Sequence, residues 1–343
     1  MQIIRQRCFA RVGLVGNPSD GYHGKTISLI VRDFWAEAVL YEWDEVQIIA
    51  SDQDHSRFDS VQELARDVKL HGYYGGIRLV KGTIKRFVEY CEGEGLKLHS
   101  RNFAVRYHSA VPRQVGLAGS SAIIIATLRC LMEFYGVRIP LEVQPSLALA
   151  VETQELHIAA GLQDRVAEVY EGLVYMDFSR EKMRERSGYK YGVYERLDPL
   201  LLPPLYLAYK AEVSEPTEVF HDDIRARFDR GEPAVVNAMS RCAGLAEQAR
   251  GAILARDAAR LARLMDDNFN VRRSIHSLAP AQVEMVDVAR AVGAAANFAG
   301  SGGAIVGTYS GAVMFQDLQR ELGKIGCVVL KPKIMPDLED AAP

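Results

Sequence analysis

The sequence predicts an α+β protein with two domains, because strand-like segments come first and helix-like segments later in each half of the chain. At 343 residues, the chain is long enough for two domains that each bury a core. A polar and aromatic segment with little periodicity, residues 179–198, is followed by Leu202-Pro203-Pro204. We therefore expect one domain over residues 1–202 and a second over residues 203–343.

The first half contains segments rich in β-branched and aromatic residues, together with segments in which apolar residues have helical spacing. The predicted strands are residues 8–16, 26–31, 34–43, 45–51, 102–111 and 172–178. The predicted helices are residues 59–70, 76–91, 120–135 and 145–157, with a shorter helix from about Asp164.

The second half opens with a strand and continues with helices rich in alanine and arginine. In these helices Leu261, Leu264 and Met265 share one apolar face, which predicts packing against a sheet. The predicted elements are a strand over 205–210, helices within 217–292, a glycine turn and strand within 297–309, a helix over 315–325 and a closing strand over 327–334.

Composition excludes several functional classes. The formal net charge of −3 provides no basic excess for a nucleic-acid partner. No apolar run approaches the roughly 20 residues that span a bilayer, and the first residues leave no room for a signal peptide before the first strand. The five cysteines show no C-x-x-C spacing, which is typical of small core residues in a reducing cytoplasm. We expect a cytoplasmic monomer or homodimer without a membrane partner.

The glycine–serine loop, residues 111–122, carries the strongest functional pattern. Pro112 ends the preceding segment, and Gly116 and Gly119 permit close backbone approaches. Ser120 is a suitable N-cap for the apolar helix that follows, and the free amides and dipole of a helix start attract anions. The loop lacks the P-loop lysine and is not a G-x-G-x-x-G turn. An ordinary capped core helix is the alternative.

Three carboxylates stand where they could serve chemistry or structure. Glu152 lies on an otherwise apolar helix, where an acidic residue is either exposed, paired or bound to a metal. Asp164 follows a glycine turn at a helix start, where an N-cap is its ordinary role. Asp20 lies in the first loop, residues 11–20, and can form a turn or accept hydrogen bonds from a ligand.

The glycine–serine loop resembles the second motif of the GHMP sugar and isoprenoid kinases, Pro-x-x-x-Gly-Leu-Gly-Ser-Ser-Ala, with Ala118 as one inserted residue. The first loop resembles the first motif of these kinases. There Arg11 matches the basic position, Asn17 stands in place of the glutamate and Asp20 matches the aspartate. The third loop, residues 298–304, resembles their C-terminal glycine loop, so the three motifs occur in the family order.

This resemblance implies a two-domain GHMP kinase fold, with an N-terminal ribosomal-S5-like domain and a C-terminal ferredoxin-like domain that bind ATP and a small substrate between them. It also implies Mg²⁺ as the metal that accompanies ATP. The implied residues are Asp164 and Arg11 for catalysis, Asn17 and Asp20 for the substrate, and Ser121 and Glu152 for the metal. The implied ATP-binding residues are Pro112, Gly116, Leu117, Ala118, Gly119, Ser120, Ser121, Ala122 and Gly302.

Within the family, the chain is similar to plant glucuronokinases over residues 9–20, 72–76, 112–114, 160–167 and 300–304. The resemblance implies ATP-dependent phosphorylation of D-glucuronate at its anomeric hydroxyl. A substrate carboxylate calls for a cation, and Arg113 is the candidate because a guanidinium can bind a carboxylate through two hydrogen bonds. The alternative substrate is another sugar, namely galactose, galacturonate or a heptose phosphate.

Two hypotheses from other classes stay open at this point. A binding or regulatory protein with this fold is disfavoured by the presence of Asp164, Glu152 and Ser121, and an ATPase assay with sugar would distinguish it. A dehydrogenase is disfavoured because no G-x-G-x-x-G turn follows the first strand. An assay of nicotinamide absorbance would distinguish that class.

Overall fold

The computed structural model describes residues 2–50, 60, 75–210 and 219–336, with the backbone alone over 219–223. The helix predicted over residues 59–70 lies outside the described residues, apart from Ser60. Residues 72–74, which are part of the similarity to glucuronokinases, also lie outside the described residues. So do residues 217 and 218, the first two of the predicted helical region.

In the described part of the N-terminal half, a six-stranded sheet is organised around one long strand. The strands of this half are β1 (Ile3–Val15), β2 (Lys25–Trp43), β3 (Gln47–Ile49), β4 (Asn102–Ser109), β5 (Leu173–Asp177), β6 (Arg184–Arg186), β7 (Tyr189–Tyr191) and β8 (Val193–Leu197). Strand β2 pairs with β1 along one edge and with β5 and then β4 along the other. Strand β3 extends the sheet beside β4 and β8 extends it beside β5, while β6 and β7 form a separate ribbon.

Helices of the N-terminal half cover this sheet. They are α1 (Gly76–Gly93), α2 (Gly119–Tyr135), α3 (Gln144–Ala150) and α4 (Leu162–Tyr170). Helix α2 packs against β1 and β2 on one side and against α1 on another, which accounts for its apolar first turns. A π-helical turn, Val151–Glu155, continues α3 and carries Glu152.

Two predictions about strands were wrong in the first half. The segments 26–31 and 34–43 are one strand, because the register of β1 against β2 shifts between Phe9 and Ala10 and leaves the polar residues near Arg32 in a bulge. Residues 179–198, to which the sequence assigned no element because they show little periodicity, contain β6, β7 and β8. Because β8 is an edge strand with little burial, it lacks the apolar alternation by which strands are recognised.

The C-terminal half alternates between strands and helices around a four-stranded antiparallel sheet in the order β10-β11-β9-β12. Its elements are β9 (Leu205–Lys210), α5 (Val219–Asp229), α6 (Pro233–Leu254), α7 (Ala258–Ile275), α8 (Pro280–Ala291), β10 (Asn297–Phe298), β11 (Ala304–Thr308), α9 (Ala312–Lys324) and β12 (Cys327–Leu330). Both halves combine antiparallel pairing with helices, so the α+β prediction is confirmed.

Helices α6 and α7 join the two sheets. Helix α6 packs on β2, and α7 packs on β1 as well as on β10 and β11. Leu261, Leu264 and Met265 are buried, as their shared face predicts. The five cysteines are also buried and free, which confirms them as core residues. Within the described residues, no helix combines the length and the apolarity needed to cross a bilayer.

Near its C-terminal end, the chain contacts the bulge of β2. The backbone N–H of Arg32 donates to the carbonyl of Lys333 at 2.7 Å. The N–H of Lys333 in turn donates to Asp33 Oδ2 at 2.7 Å. The polar residues that interrupt the apolar pattern of β2 therefore fasten the segment after β12 to the first sheet.

A buried cluster of three asparagines fixes the first loop to the C-terminal half. Asn268 on α7 accepts from the N–H of Gly16 at 2.7 Å and donates to the carbonyl of Asn17 at 2.9 Å. Asn297 on β10 donates to the carbonyl of Leu14 at 3.0 Å and to Asn17 Oδ1 at 3.3 Å. Because all three side chains are buried, each hydrogen bond replaces one that water would otherwise supply.

We predict that Asn268→Ala lowers the free energy of unfolding by about 2–6 kcal/mol, since two buried groups, the N–H of Gly16 and the carbonyl of Asn17, lose their partner at a cost of about 1–3 kcal/mol each. Urea unfolding followed by circular dichroism measures the change. Asn270→Ala is the matched control, because Asn270 is exposed on the same helix and should cost less than about 1 kcal/mol. Equal losses in the two variants would contradict a role for the asparagine cluster.

Candidate active site

One buried guanidinium, that of Arg11 on β1, joins the loops singled out by the sequence. Its Nε and Nη2 both lie 2.6 Å from Asp164 Oδ1. Its Nη1 donates to the carbonyl of Gly116 at 3.1 Å and to that of Ala299 at 2.6 Å. The start of α4, the glycine–serine loop and the third loop therefore meet around a single side chain.

Arg11 keeps its charge in this buried position. Burial alone would lower the pKa of the guanidinium, but the charge of Asp164 and the hydrogen bond to it outweigh burial and raise this pKa overall. The side chain of Asp164 is 22% exposed and also lies 3.3 Å from Arg165 Nη1. Asp164 thus faces two guanidiniums while staying accessible to a small molecule.

Asp20 lies beside Asp164 because the first loop packs on the start of α4. Asp20 Oδ2 accepts from the N–H of Gln163 at 3.2 Å, and a Cβ at Gly161 would collide with the same carboxylate. Burial and the charge of Asp164 raise the pKa of Asp20 to about 6, against the opposing effects of Gln163 and Arg11. The two predicted carboxylates are therefore neighbours that repel each other.

The glycine–serine loop ends in a residue with left-handed backbone geometry, Ala118 with φ 64°, and α2 begins at Gly119. Ser120 is therefore not the N-cap, and that prediction was wrong. The first amides of α2 have no partner within the helix, as an anion site requires. A Cβ at Gly116 would come within 2.9 Å of Ser301 N and Gly302 O, so the glycine–serine loop and the third loop touch through their backbones.

Glu152 is 1% exposed and has two partners in the described chain. Its Oε1 accepts from the hydroxyl of Ser120 at 2.7 Å, and its Oε2 forms an ion pair with Arg165. Ser121, in contrast, is buried and donates to the carbonyl of Ala118 at 3.0 Å. The structure thus places Ser120, rather than the predicted Ser121, beside the acidic side chain.

The donor set at Glu152 fits a magnesium ion in chemical type, because a carboxylate and a hydroxyl supply hard oxygen ligands and each carboxylate oxygen has a further lone pair. Among the described residues, no group of three or more acidic, histidine or cysteine side chains could hold a metal. Any magnesium would therefore take most of its ligands from phosphate and water.

Asn17 does not face the place where Asp20 and Asp164 meet. Its side chain is buried, its Nδ2 donates to the carbonyl of Phe298 at 3.0 Å, and its Oδ1 accepts from Asn297. The amide is thus committed to the asparagine cluster, which argues against the predicted contact with substrate. The match to the motif gave the position of Asn17 but not the direction of its side chain.

The remaining predicted residues divide between surface and core. Arg113 is exposed and Pro112 is half-buried at the mouth of the glycine–serine loop. Leu117 and Ala122 are buried in the core, so they can meet a nucleotide only through their backbones. Gly302 has φ 139°, and a Cβ there would meet the Gln282 side chain at 2.6 Å, so this position needs glycine.

Sequence reasoning missed three groups of residues near this site. Arg165 follows Asp164 within the quoted glycine-turn motif, and its position next to a candidate carboxylate was a usable signal. Glu168 is buried one turn further along α4, where burial raises the pKa of its carboxyl well above the usual range. Arg272 and Asn268 lie on α7 far along the chain, where no local pattern marks them.

Comparison with known proteins agrees with this geometry. Residues 78–172 match the model of the GHMP kinases N-terminal domain. The chain is 44% identical to "Probable glucuronokinase 2" of Arabidopsis thaliana over 342 residues, which is 97% of this chain and 92% of that protein. It is 43% identical to "Glucuronokinase 1" of the same plant, with the same coverage.

The chain belongs to the GHMP kinase family.

The fold of this GHMP kinase agrees with that assignment. Lactococcus lactis galactokinase, solved with galactose, superposes with a TM-score of 0.75 at 12% identity, covering 97% of this chain and 94% of that one. Methanococcus jannaschii mevalonate kinase superposes with a TM-score of 0.70 at 17% identity, covering 98% of each chain. The two-domain GHMP fold predicted from the motifs is thereby confirmed, and the chain is a kinase that transfers phosphate to a hydroxyl group. The exact boundary at residue 202 stays a prediction.

We predict that Asp20 makes folding of this GHMP kinase depend on pH. Since its folded pKa of about 6 exceeds the value of about 3.9 for a free aspartate, its contribution to stability is full below about pH 4 and is lost as the pH rises through about 6. Relative to Asp20→Asn, the wild type should therefore lose about 1–3 kcal/mol of unfolding free energy between pH 4 and 7.

Urea unfolding across that pH range, compared between the two proteins, measures this difference. Asp287→Asn serves as the control, because Asp287 is an exposed carboxylate on α8, away from the loops. Parallel pH curves for the wild type and Asp20→Asn would show that Asp20 titrates as a free carboxylate.

Proposed function

We propose that this kinase transfers the γ-phosphoryl group of ATP to the anomeric hydroxyl of D-glucuronate, giving glucuronate 1-phosphate and ADP. The observation that carries the proposal is identity of 43–44% to two Arabidopsis glucuronokinases over 97% of the chain. The arrangement of Arg11, Asp164 and the three loops supports the chemistry. The alternative is a different sugar acceptor for the same transfer.

Asp164 is proposed as the group that meets the acceptor hydroxyl. Its carboxylate orients this hydroxyl and accepts its proton as the sugar oxygen attacks the γ-phosphorus and the bond to the β–γ bridging oxygen breaks. The proton passes from Asp164 to solvent after transfer, and ADP leaves with the electrons of the broken bond. Arg11 holds the carboxylate in place through contacts of 2.6 Å and balances its charge.

The phosphates are proposed to bind where the glycine–serine loop and the third loop touch. The unpaired amides at the start of α2 point at this place, and the helix dipole favours an anion there. Glycines at positions 116 and 302 let the two backbones approach one another, which brings a second set of amides near the same anion.

Glu152 and Ser120 are proposed to hold the magnesium ion that accompanies ATP. When bound, the ion neutralises charge on the phosphates. Arg165, which pairs with Glu152, keeps this carboxylate aimed at the start of α2. Ser121 is the competing ligand by the family match, although its hydroxyl is directed to Ala118.

We predict that Ser120→Ala and Glu152→Gln raise the magnesium concentration for half-maximal activity by about 10-fold or more, because each removes an oxygen donor. Ser121→Ala should leave this concentration unchanged, although it removes a hydrogen bond at the helix start. Activity titrated against magnesium at fixed ATP distinguishes the two serines. If the magnesium concentration for half-maximal activity rose only in Ser121→Ala, the metal ligand would be Ser121, as first predicted.

The substrate is proposed to lie between Asp20 and Asp164, with its carboxylate toward the mouth of the glycine–serine loop. Arg113 is exposed at that mouth and is our candidate for the carboxylate, since an arginine binds a carboxylate with two parallel hydrogen bonds. Asp20 would accept hydrogen bonds from ring hydroxyls. Cytoplasmic location and a monomeric or homodimeric state are parts of the same proposal, testable by cell fractionation and by light scattering.

The test is a substrate panel with ATP, comprising D-glucuronate, D-galacturonate, D-galactose and a heptose 7-phosphate. We expect kcat/KM for glucuronate to exceed that for galactose roughly 30- to 1000-fold, the range that corresponds to loss of one charge-assisted pair. Phosphorus NMR of the product identifies the phosphorylated carbon. A higher kcat/KM for a neutral sugar than for glucuronate would show that glucuronate is not the substrate.

Two variants control this experiment. Asp164→Asn should lower turnover roughly 100-fold or more for every sugar while ATP binding persists. Arg113→Ala should reduce kcat/KM for glucuronate far more than for galactose. An equal reduction for both sugars would mean that another residue meets the carboxylate.

A further inference from the structure

A second buried arginine lies behind the third loop. Arg272, on α7, is 3% exposed and donates from Nη1 to the carbonyl of Gly300 at 2.6 Å and from Nη2 to that of Ser301 at 3.2 Å. Its guanidinium also lies 5.1 Å from the centre of the Phe298 ring. Arg11 donates to the carbonyl of Ala299, the residue before Gly300. The two guanidiniums therefore bind three consecutive carbonyls of the third loop.

These contacts decide where the amides of the third loop point. In a trans peptide, the N–H of one residue points away from the carbonyl of the residue before it. The N–H of Gly300 therefore turns away from Arg11, and the N–H groups of Ser301 and Gly302 turn away from Arg272. In the part of the chain that the structure describes, none of these three donates a hydrogen bond to the protein. Successive backbone amides without a partner in the protein can bind an anion.

In the described part of the chain Arg272 forms no ion pair, and the nearby charge of Asp20 offsets only part of the effect of burial on the pKa of its guanidinium. Among the described residues, no carboxylate lies within ion-pair distance of it, and its Nε is buried without a hydrogen-bond partner. Burial lowers the pKa of this guanidinium to about 10. A buried charge without a partner is costly, so this arrangement is poorly explained by stability alone.

We propose that Arg272 is a positioning residue for the nucleotide phosphates, a role that rests on the function proposed above. It holds the carbonyls of Gly300 and Ser301 from behind, so that the amides on the opposite side of the loop meet a phosphate oxygen. The negative charge of the phosphate then complements the positive charge of Arg272 across the loop.

Arg290 on α8 provides a matched comparison within the same half. Its guanidinium also lies 5.1 Å from an aromatic ring, that of Phe269, and donates to the carbonyls of Asp266 and Ala296. Unlike Arg272, it has a carboxylate partner, Asp266, at 2.9 Å. Arg290 is therefore a structural arginine whose charge is already balanced.

The test measures dissociation constants for ATP, ADP and inorganic pyrophosphate by calorimetry, together with KM for the sugar. Arg272→Met should weaken binding of all three phosphates on the order of 10- to 100-fold, as loss of charge-assisted contacts predicts, and leave KM for the sugar within about threefold. Arg272→Lys, which keeps the charge, should recover most of the affinity. Arg290→Met should lower the melting temperature but leave phosphate binding unchanged.

Wild-type affinity in Arg272→Met, or equal loss of affinity in Arg290→Met, would overturn this role for Arg272. Should Arg272→Met fail to fold, Arg272→Gln against Arg272→Lys decides the question, because only the neutral variant should lose phosphate affinity. Failure of the wild type to bind ATP would instead refute the proposed function.

Discussion

The site depends on the placement of one charged side chain in the interior. A guanidinium has five N–H donors in a fixed plane, and Arg11 uses them to contact a carboxylate and two backbone carbonyls from three different segments. A lysine could not satisfy all of these partners in the same geometry. Because Asp164 supplies the counter-charge, the cost of burying Arg11 is offset by the residue that it positions. The position of the proposed catalytic carboxylate and the local stability therefore depend on the same pair.

Much of the fold could be predicted from the sequence because it follows local rules. Apolar spacing located α1, α2 and β9, and the order of strands and helices indicated the α+β class. The prediction failed where tertiary context overrides the pattern. A bulge made the polar residues after Val31 part of a continuous strand, and the edge position of β8 removed the alternation that identifies a strand.

The candidate site was predictable in position but not in side-chain direction. Arg11 and Asp164 are 153 residues apart, and only the resemblance to a family associated them. Successive residues on a helix point about 100° apart, so the adjacent serines have different partners: Ser120 faces Glu152 and Ser121 faces the carbonyl of Ala118. The direction of the Asn17 side chain depends on Asn268 and Asn297, which lie 251 and 280 residues away.

The link between the bulge of β2 and Lys333 gives the chain a closed topology. Residues near the beginning and near the end of the described chain are fastened together, so both halves form one ring with α6 and α7 packed across it. Contacts between residues so far apart in the chain carry a large loop-closure entropy and are associated with slow folding. The closed topology also means that the halves cannot swing apart as rigid bodies without breaking this link. Opening of the site by such a motion would therefore have to break these two hydrogen bonds.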